Sequence, residues 1–404
     1  MKLYTTLAWR NVWRNRKRTW ITASSIGFAV FFACIMQSMQ LGSYERMIDN
    51  SVRFYTGHIA IHQEDYWDDQ VLDNAFPLSQ IKDLSVNQEL IVANVPRISS
   101  FALASYKDHT KGVLVNGIDP KGEADFTYLD QKLTQGQYLE QEGIMIAEGL
   151  ADYLGMGVGD TLVMISQGYH GVNAAGKYPV IGLLKFPVPE FNQSAVYLHL
   201  TEAQRFYGAP GLITSQSILL DNSKDITEVQ SAIEPQLAGM PLSVKNWREM
   251  MPELIQGIEM DYYGGLIMIY ILYAVIGFGI LGTFLMMTKE RTYEFGILAS
   301  IGMKKGRIQM TVALEIIMLT FFGVFLGLLA STPIVVYFYF NPIRFSGEFA
   351  EAFESFGYEA IMPFSMDPVV FYNQGIVVLF IALFLGLYPL IYIKNLKIIK
   401  ALRE

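Results

Sequence analysis

Four long apolar stretches without a charged residue alternate with polar segments along the chain. These stretches lie between Arg18 and Glu45, between Asp261 and Lys289, between Glu315 and Arg344, and between Asp367 and Lys394. A helix needs about 20 apolar residues to cross the ~30 Å hydrocarbon core of a bilayer, so each stretch predicts one transmembrane helix. The composition agrees, because 52% of the residues are hydrophobic and 17% are charged. Four spans place both termini on the same side of the membrane.

The polar segments differ in charge. Lysine and arginine dominate residues 1–18, 289–307 and 394–404, whereas residues 43–261 carry 29 acidic and 14 basic residues, a net charge of −15. Basic flanks resist translocation, so the three basic segments are predicted to be cytoplasmic and the acidic ones to face outward. The predicted order is a cytoplasmic interfacial helix 1–18, span 19–42, an outer domain 43–261, span 262–288, a cytoplasmic loop 289–307, span 308–340, an outer loop 341–367, span 368–393 and a cytoplasmic tail 394–404.

The N-terminal segment combines apolar and basic residues. Leu3, Leu7, Trp9, Val12 and Trp13 stand among arginines, a pattern that predicts an amphipathic helix in the inner membrane interface, although a cluster that only sets topology is an equal alternative. A cleaved signal peptide is disfavoured, because the apolar run is too long and no Ala-x-Ala site follows it.

The outer segment predicts a mixed α/β domain that is large enough to bury its own core. Short apolar runs bounded by turn residues predict strands, and helical spacing predicts helices. The predicted strands are 90–95, 101–106, 112–117 and 161–166, a helix is predicted at 143–154, and a strand, helix and strand are predicted at 217–220, 226–237 and 242–246. A further helix, 247–261, is predicted to run directly into the second span.

Candidate catalytic and metal-binding groups in the outer domain are weak. His58 and His62 are followed by acidic residues, but the alternating pattern around them predicts a solvated strand face rather than a metal site. A string from Gly171 to Tyr178 resembles a P-loop but lacks the final Ser or Thr that binds Mg²⁺, so a turn between strands is favoured. Cys34 is the only cysteine, which excludes intrachain disulfides.

Two features stand out within the third predicted span, 308–340. Glu315 is an acidic residue about two turns into the predicted helix, and charges inside a membrane are costly. Its role could be pairing with a cytoplasmic basic residue, proton chemistry or simple exposure at the interface. Gly323 and Gly327 form a G-x-x-x-G pattern that permits close helix approach, although such pairs also occur by chance.

The loop between the second and third spans carries the most specific motif in the chain. Glu290-Arg291, Glu294-Phe295-Gly296-Ile297-Leu298 and Ile301-Gly302 follow the pattern E-R-x-x-E-F-G-I-L-x-x-I-G. This pattern resembles the coupling segment of ABC-transporter permeases of the MacB/FtsX/lipoprotein-release superfamily. Residues 7–18, 117–120, 147–160, 244–249 and 388–403 also resemble recurring elements of the lipoprotein-release type. We call residues 289–307 the coupling segment.

The resemblance implies a non-catalytic permease subunit of a bacterial inner membrane, with its main domain in the periplasm. ATP and Mg²⁺ would be bound by a separate cytoplasmic ATPase dimer, and a second permease subunit, identical or paralogous, would complete the transporter. No nucleic acid partner, cofactor or metal is expected for this chain. The residues expected to contact the ATPase are Arg291, Glu294, Phe295, Gly296, Ile297, Leu298, Gly302 and Met303.

The implied activity is mechanotransmission, in which ATP hydrolysis inside moves the periplasmic domain outside. Lipoprotein extraction, with a periplasmic chaperone as acceptor, is favoured over a MacB-like efflux permease with a periplasmic adaptor and over an FtsX-like regulator of a periplasmic enzyme. Acyl chains require a wide and adaptable apolar lining. The residues expected to line the cargo site are Phe31, Phe32, Ile35, Met36, Met39, Tyr262, Tyr263, Leu266, Ile267 and Tyr270.

Overall fold

The chain divides into two compact units. The structure is a computed structural model and describes residues 2–81, 87–140, 142–355 and 359–401. The first unit comprises Met1–Glu45, Ile258–Arg344 and Met362–Glu404, and the second comprises Arg46–Gly257 and Phe345–Ile361. We call them the helical unit and the α/β unit.

The α-helices of the described residues differ widely in length. They are α1 (Lys2–Arg14), α2 (Arg16–Ser51), α3 (Tyr66–Asp69), α4 (Pro120–Thr127), α5 (Glu148–Leu154), α6 (Pro189–Ser194), α7 (Leu200–Phe206), α8 (Ile226–Ile233), α9 (Trp247–Met250), α10 (Pro252–Glu290), α11 (Thr292–Ser300), α12 (Lys305–Phe340), α13 (Glu348–Ser355), α14 (Pro368–Leu385), α15 (Leu387–Lys394) and α16 (Ile398–Ala401). A π-helical turn, Val52–Thr56, follows α2 directly.

Four helical segments among the described residues are long and apolar enough to cross a membrane. They are Arg16–Thr56, Pro252–Glu290, Lys305–Phe340 and Pro368–Lys394. The prediction of four apolar helices with a mixed α/β domain inserted after the first is therefore confirmed. Each of the first three helices is longer than the apolar stretch that predicted it, because polar residues at its ends continue the helical turns.

Close packing between α2 and α12 depends on three glycines. A Cβ atom added to Gly327 would lie 2.5 Å from the carbonyl oxygen of Gly27, and one added to Gly323 would lie 2.7 Å from the Cβ of Ile26. Only glycine lets the two backbones approach this closely. The close helix approach predicted from Gly323 and Gly327 is thus confirmed, and Gly27 supplies the opposite surface.

Most of the described strands belong to one large mixed sheet in the α/β unit. The strands are β1 (Ile59–Gln63), β2 (Phe76–Pro77), β3 (Ile91–Tyr106), β4 (His109–Ile118), β5 (Leu133–Gly136), β6 (Ile144–Ala147), β7 (Thr161–Gln167), β8 (Asn173–Leu184), β9 (Ala195–His199), β10 (Leu212–Ile213), β11 (Ser215–Leu220) and β12 (Leu242–Asn246), with β13 (Ile343–Arg344) and β14 (Ile361–Met362) later in the chain. β2 and β10 form a separate two-stranded sheet, β13 and β14 lie outside both, and the other ten strands make up the large sheet. The order is β12-β1-β11-β3-β4-β9-β6-β8-β5, and β7 pairs with β3 and β8. The pairs β4 with β9 and β6 with β8 are parallel, and the others are antiparallel.

Two local predictions in this unit were wrong for physical reasons. The separate strands predicted at 90–95 and 101–106 are one strand, β3, because its Pro96 to Ser100 stretch pairs with both β11 and β4. The helix predicted at 143–154 begins only at Glu148. Ile144–Ala147 is a strand buried on both faces, and a continuous apolar run of this length does not distinguish a buried strand from a helix.

The helix predicted to run without interruption from Trp247 into the second span is broken. α9 ends at Met250, and Met251 has φ −126° and ψ 59° before α10 begins at Pro252. Proline has no backbone N–H and disfavours helical geometry in the residue that precedes it. The break therefore follows directly from the Met251-Pro252 sequence.

His58 and His62 do not lie on a solvated strand face as predicted. The His62 side chain is fully buried, and His58 Nδ1 accepts a hydrogen bond from the Leu220 N–H at 3.0 Å. Burial lowers the pKa of both imidazoles below the usual value. The described residues contain no cluster of metal-ligating side chains. His62 thus belongs to the core of the α/β unit, and His58 is half-buried at its edge with a backbone partner.

The P-loop-like string has a structural role. Gly171 has φ +80° in the turn that joins β7 to β8, while Gly176 and Tyr178 lie within β8, where they pair with Met164 and Leu162 of β7. The predicted turn is therefore shorter than the string itself. Its second half is a regular antiparallel strand.

Candidate functional site

The coupling segment folds as a short helix between two long ones. α10 ends at Glu290, Arg291 leaves helical geometry, and α11 covers Thr292–Ser300. The helix ends with a pair of hydrogen bonds, from the Gly302 N–H to the Ala299 carbonyl at 3.2 Å and from the Met303 N–H to the Leu298 carbonyl at 3.0 Å. This is a Schellman C-cap, which requires a left-handed residue, and Gly302 supplies it with φ +101°. Gly302 thus determines where α11 ends and how the chain turns towards α12.

A buried ion pair holds the beginning of the coupling segment to α12. The Arg291 guanidinium donates through Nη1 to Glu315 Oε2, and the two side chains are 5% and 1% exposed. Asn11 of α1 donates through Nδ2 to Glu315 Oε1 at 2.6 Å. The hypothesis that Glu315 pairs with a basic residue is confirmed by this contact, and the cytoplasmic position of that residue stays a prediction. Simple interfacial exposure of Glu315 is wrong, because its side chain is 1% exposed and is covered by Arg291 and by Asn11 of α1.

A second ion pair joins α1 to α11. Arg14 Nη2 donates to both carboxylate oxygens of Glu294, at 2.5 and 2.7 Å, and Arg291 Nε donates to Glu294 Oε2 at 3.3 Å. Partial burial raises the pKa of Glu294, but the hydrogen bonds and charges of the two arginines lower it further, so the net pKa is below the usual value. Glu294 in turn raises the pKa of Arg14. The negative charge of Glu294 is therefore already paired with positive charges within the chain.

Helix α1 packs on α12 through its apolar face. Ala8 and Val12 are buried, and the Trp13 ring meets the Phe322 ring edge-on at 5.9 Å. Trp9, in contrast, is 55% exposed. The amphipathic helix predicted for this segment is present, and one of its faces is covered by protein.

The C-terminal helices hold the far end of the coupling segment. Lys305 Nζ donates to the Leu396 carbonyl at 2.6 Å and to the Lys394 carbonyl at 3.2 Å, and Gln309 Nε2 donates to the Leu390 carbonyl at 2.8 Å. A lysine at the C-terminal end of a helix satisfies carbonyl groups that have no partner within the helix. Both ends of the coupling segment are thus anchored by side chains.

The predicted coupling residues divide into buried and accessible groups. Arg291, Phe295 and Gly296 are buried, and the Arg291 guanidinium lies over the Phe295 ring at 5.2 Å. Phe295 packs into the apolar core of the helical unit, so its ring is not available at the surface for a partner protein. Glu294, Ile297 and Met303 are half-buried, and Leu298 and Gly302 are exposed.

Two exposed apolar residues of the coupling segment were missed. Tyr293 is 52% exposed and Ile301 is 79% exposed, and they share one side of the segment with the half-buried Ile297. Their spacing of four residues is the signal that could have identified this face. We call Tyr293, Ile297, Leu298 and Ile301 the α11 surface. An exposed apolar surface on a helix whose opposite side is anchored to the helical unit is suited to binding a partner protein with an apolar groove.

The predicted cargo-lining residues lie on two adjacent, antiparallel helices. The Tyr44 hydroxyl of α2 donates to Asp261 Oδ2 of α10 at 2.6 Å, and a Cβ atom added to Gly265 would collide with the Gln40 side chain. Farther along, Gly279 faces Ser25. The exposed members of the set are Phe32, Tyr262, Tyr263, Ile267 and Tyr270, and the half-buried members are Phe31, Ile35, Met36, Met39 and Leu266.

Comparisons with known proteins agree with these features. Residues 266–398 match the family model described as FtsX-like permease C-terminal. Over 251 residues the chain is 22% identical to the lipoprotein-releasing system transmembrane protein LolC of Neisseria meningitidis serogroup B, and the alignment spans 60% of this chain and 60% of that relative.

Two solved structures are similar to the chain at low identity. One is the extracellular domain of the noncanonic ABC-type transporter YknZ from Gram-positive bacteria, with 17% identity, a TM-score of 0.34, and coverage of 46% of this chain and 99% of that one. The other is the periplasmic region of MacB from Actinobacillus actinomycetemcomitans, with 14% identity, a TM-score of 0.36, and coverage of 52% and 98%.

The family match covers α12, α14 and the whole coupling segment, whose sequence motif and helical architecture are those expected of such permeases. Residues 266–398 therefore form an FtsX-like permease C-terminal region, and the chain is similar to the lipoprotein-releasing system transmembrane protein LolC over 60% of its length.

Proposed function

We propose that this permease couples ATP hydrolysis by a separate cytoplasmic ATPase to movements of its α/β unit outside the membrane, and that it extracts lipoproteins from the inner membrane. In this proposal α1, the coupling segment and the C-terminal tail are cytoplasmic, and the α/β unit is periplasmic. The charge separation along the chain supports this topology. ATP and Mg²⁺ are bound by the ATPase, and a second permease subunit, identical or paralogous, completes the transporter.

The anchored α11 surface is the observation that carries the proposal. The buried ion pair between Arg291 and Glu315 anchors the N-terminal end of α11 to α12, while Tyr293 and Ile301 stay exposed. Docking of this surface in a groove of the ATPase would bury apolar area and transmit force to α10 and α12, which flank the coupling segment. Since the charge of Glu294 is already paired with Arg14, we assign the contact with the ATPase to the apolar side chains of the α11 surface rather than to the Glu294 carboxylate.

A charge on the α11 surface tests this contact. We expect Ile301→Asp to weaken co-purification of the ATPase at least ten-fold, because burying one exposed isoleucine contributes roughly 1.5–3 kcal/mol and the substitution also buries a carboxylate. Ile399→Asp in α16 is the matched control, since Ile399 is 76% exposed in the same unit. Equal retention of the ATPase by both variants would contradict the proposed docking surface.

Lipoprotein is the proposed cargo because the curated relative is named as a lipoprotein-releasing protein and because α2 and α10 present aromatic and thioether side chains on adjacent helices. Photocrosslinkers at Met36, Met39, Tyr263 and Leu266 should capture a lipidated protein in cells when ATP turnover is blocked. Capture of phospholipid alone would instead favour a MacB-like efflux permease or an FtsX-like regulator.

A further inference from the structure

Three polar side chains from three helices form a hydrogen-bonded chain within the apolar helical unit. The Tyr273 hydroxyl of α10 donates to Gln374 Oε1 of α14, and Gln374 Nε2 donates to Gln37 Oε1 of α2 at 3.3 Å. Gln374 is 6% exposed and interrupts a buried face of α14 that otherwise consists of Val370, Gly375, Val378 and Ala382. The amide of Gln374, at the centre of the hydrogen-bonded chain, is enclosed by protein.

The hydrogen-bonded chain lies deep within the apolar stretch of α10. Tyr273 is twelve residues beyond Asp261, the last charged residue before that stretch, which corresponds to about 18 Å of helix at 1.5 Å per residue. In a hydrocarbon core of ~30 Å, no bulk water replaces these hydrogen bonds. The three side chains therefore depend on one another for hydrogen-bonding partners.

Packing of α10 around Tyr273 is otherwise poor. Ile269 and Ile280 are buried, but none of the ten residues from 270 to 279 is buried. Immediately after Tyr273, an apolar groove of about 470 Å³ separates α10 from α14, with Ala274 and Phe278 on one wall and Phe380 and Phe384 on the other. The two helices are thus joined by a polar contact beside a space where their side chains pack little.

We propose that Tyr273, Gln374 and Gln37 form a releasable intramembrane latch that holds α10 to α14 and α2 beside this groove. Opening of the latch lets α10 move away from α14 and widens the groove. Single hydrogen bonds between transmembrane helices are weak enough to break and re-form during a transport cycle. The inference rests on the proposed function, because α10 leads directly into the coupling segment and would move when an ATPase acts on it.

Cysteine cross-linking across the groove tests the latch. A Cβ atom added to Gly277 would lie 4.0 Å from Ile381 Cγ2, so Gly277→Cys and Ile381→Cys report on the approach of α10 to α14. Cys34→Ala removes the native thiol from all variants. In lipid membranes, Tyr273→Phe and Gln374→Met should each lower the rate of disulfide formation by about three-fold or more, the scale of one intramembrane hydrogen bond. Tyr372→Phe, which is 53% exposed on α14, is the control.

Basal ATP hydrolysis in the reconstituted complex is the second measurement. We expect Tyr273→Phe and Gln374→Met to raise basal hydrolysis and lower cargo release per ATP, with thermal unfolding midpoints close to that of the Tyr372→Phe control. Cross-linking rates equal to the control in both variants would overturn the latch. Slower cross-linking with unchanged ATP hydrolysis would support the latch and contradict the proposed coupling role of α10, so the two failures are distinguishable.

Discussion

Removal of the Glu315 carboxylate is expected to destabilise the helical unit strongly. In Glu315→Leu the buried Arg291 guanidinium loses its closest carboxylate, and Asn11 Nδ2 loses its acceptor. Loss of one partner from a buried ion pair costs about 3–5 kcal/mol. Arg291 keeps a longer contact to Glu294 at 3.3 Å, so we expect a cost near the lower end, about 3 kcal/mol.

The double variant separates pairing from packing. In Arg291→Met with Glu315→Leu no buried charge remains, and similar replacements in other proteins are neutral or stabilising, so we expect the double variant to lose less than about 1 kcal/mol. Glu290→Leu is the matched control, because Glu290 is an exposed carboxylate of the same segment, and a change within about 0.5 kcal/mol is expected there.

Thermal unfolding and denaturant unfolding of the purified permease in detergent measure these differences. The control is expected to be the most stable, followed by the double variant and then by Glu315→Leu. Co-purification of the ATPase should fall in the same order, because α11 loses the ion pair that anchors it to α12. If Glu315→Leu were no less stable than Glu290→Leu, or if the double variant were as unstable as Glu315→Leu, the ion pair would not be what anchors the coupling segment.

Two further predictions concern topology and pH. Reporter fusions at Lys177 and Lys304 should report opposite sides of the membrane, and the same side for both would refute the proposed topology. Because the pKa of His62 is lowered by burial in the folded state, its contribution to stability is fully present above the unfolded-state pKa of about 6.5 and is lost as the pH falls below that value. The acid-induced loss of stability, measured by thermal unfolding between pH 7.5 and 5, should be smaller in His62→Gln, and an unchanged pH dependence would refute this assignment.

The architecture could be predicted because the membrane imposes a simple rule on the sequence. The charge-free stretches identify the four long apolar helices, since a charge in hydrocarbon is costly. The same rule drew attention to Glu315, and its partner Arg291 lies in the nearest basic segment. Gly323 and Gly327 likewise indicated a close helix contact, although the opposing Gly27 has no signal of its own in the sequence.

The surface of the coupling segment could not be predicted as well. α11 has apolar residues on several sides, so the pattern alone does not show that Phe295 faces the core while Ile301 faces outward. The Tyr273, Gln374 and Gln37 contact was also missed, because the three residues are far apart in sequence and none is charged. In contrast, the break at Met251 could have been predicted from Pro252, whose local effect does not depend on tertiary contacts.

Site-specific photocrosslinking from α11 tests the account most directly. A photoreactive amino acid at Ile301 or Tyr293, introduced into the complete permease in its membrane, should capture the cytoplasmic ATPase, whereas the same probe at the buried Phe295 should capture only segments of the permease itself. Capture of the ATPase from position 295 but not from 301, or from neither while the complex still co-purifies, would contradict the claim that the exposed face of α11 is where the permease receives the force of ATP hydrolysis.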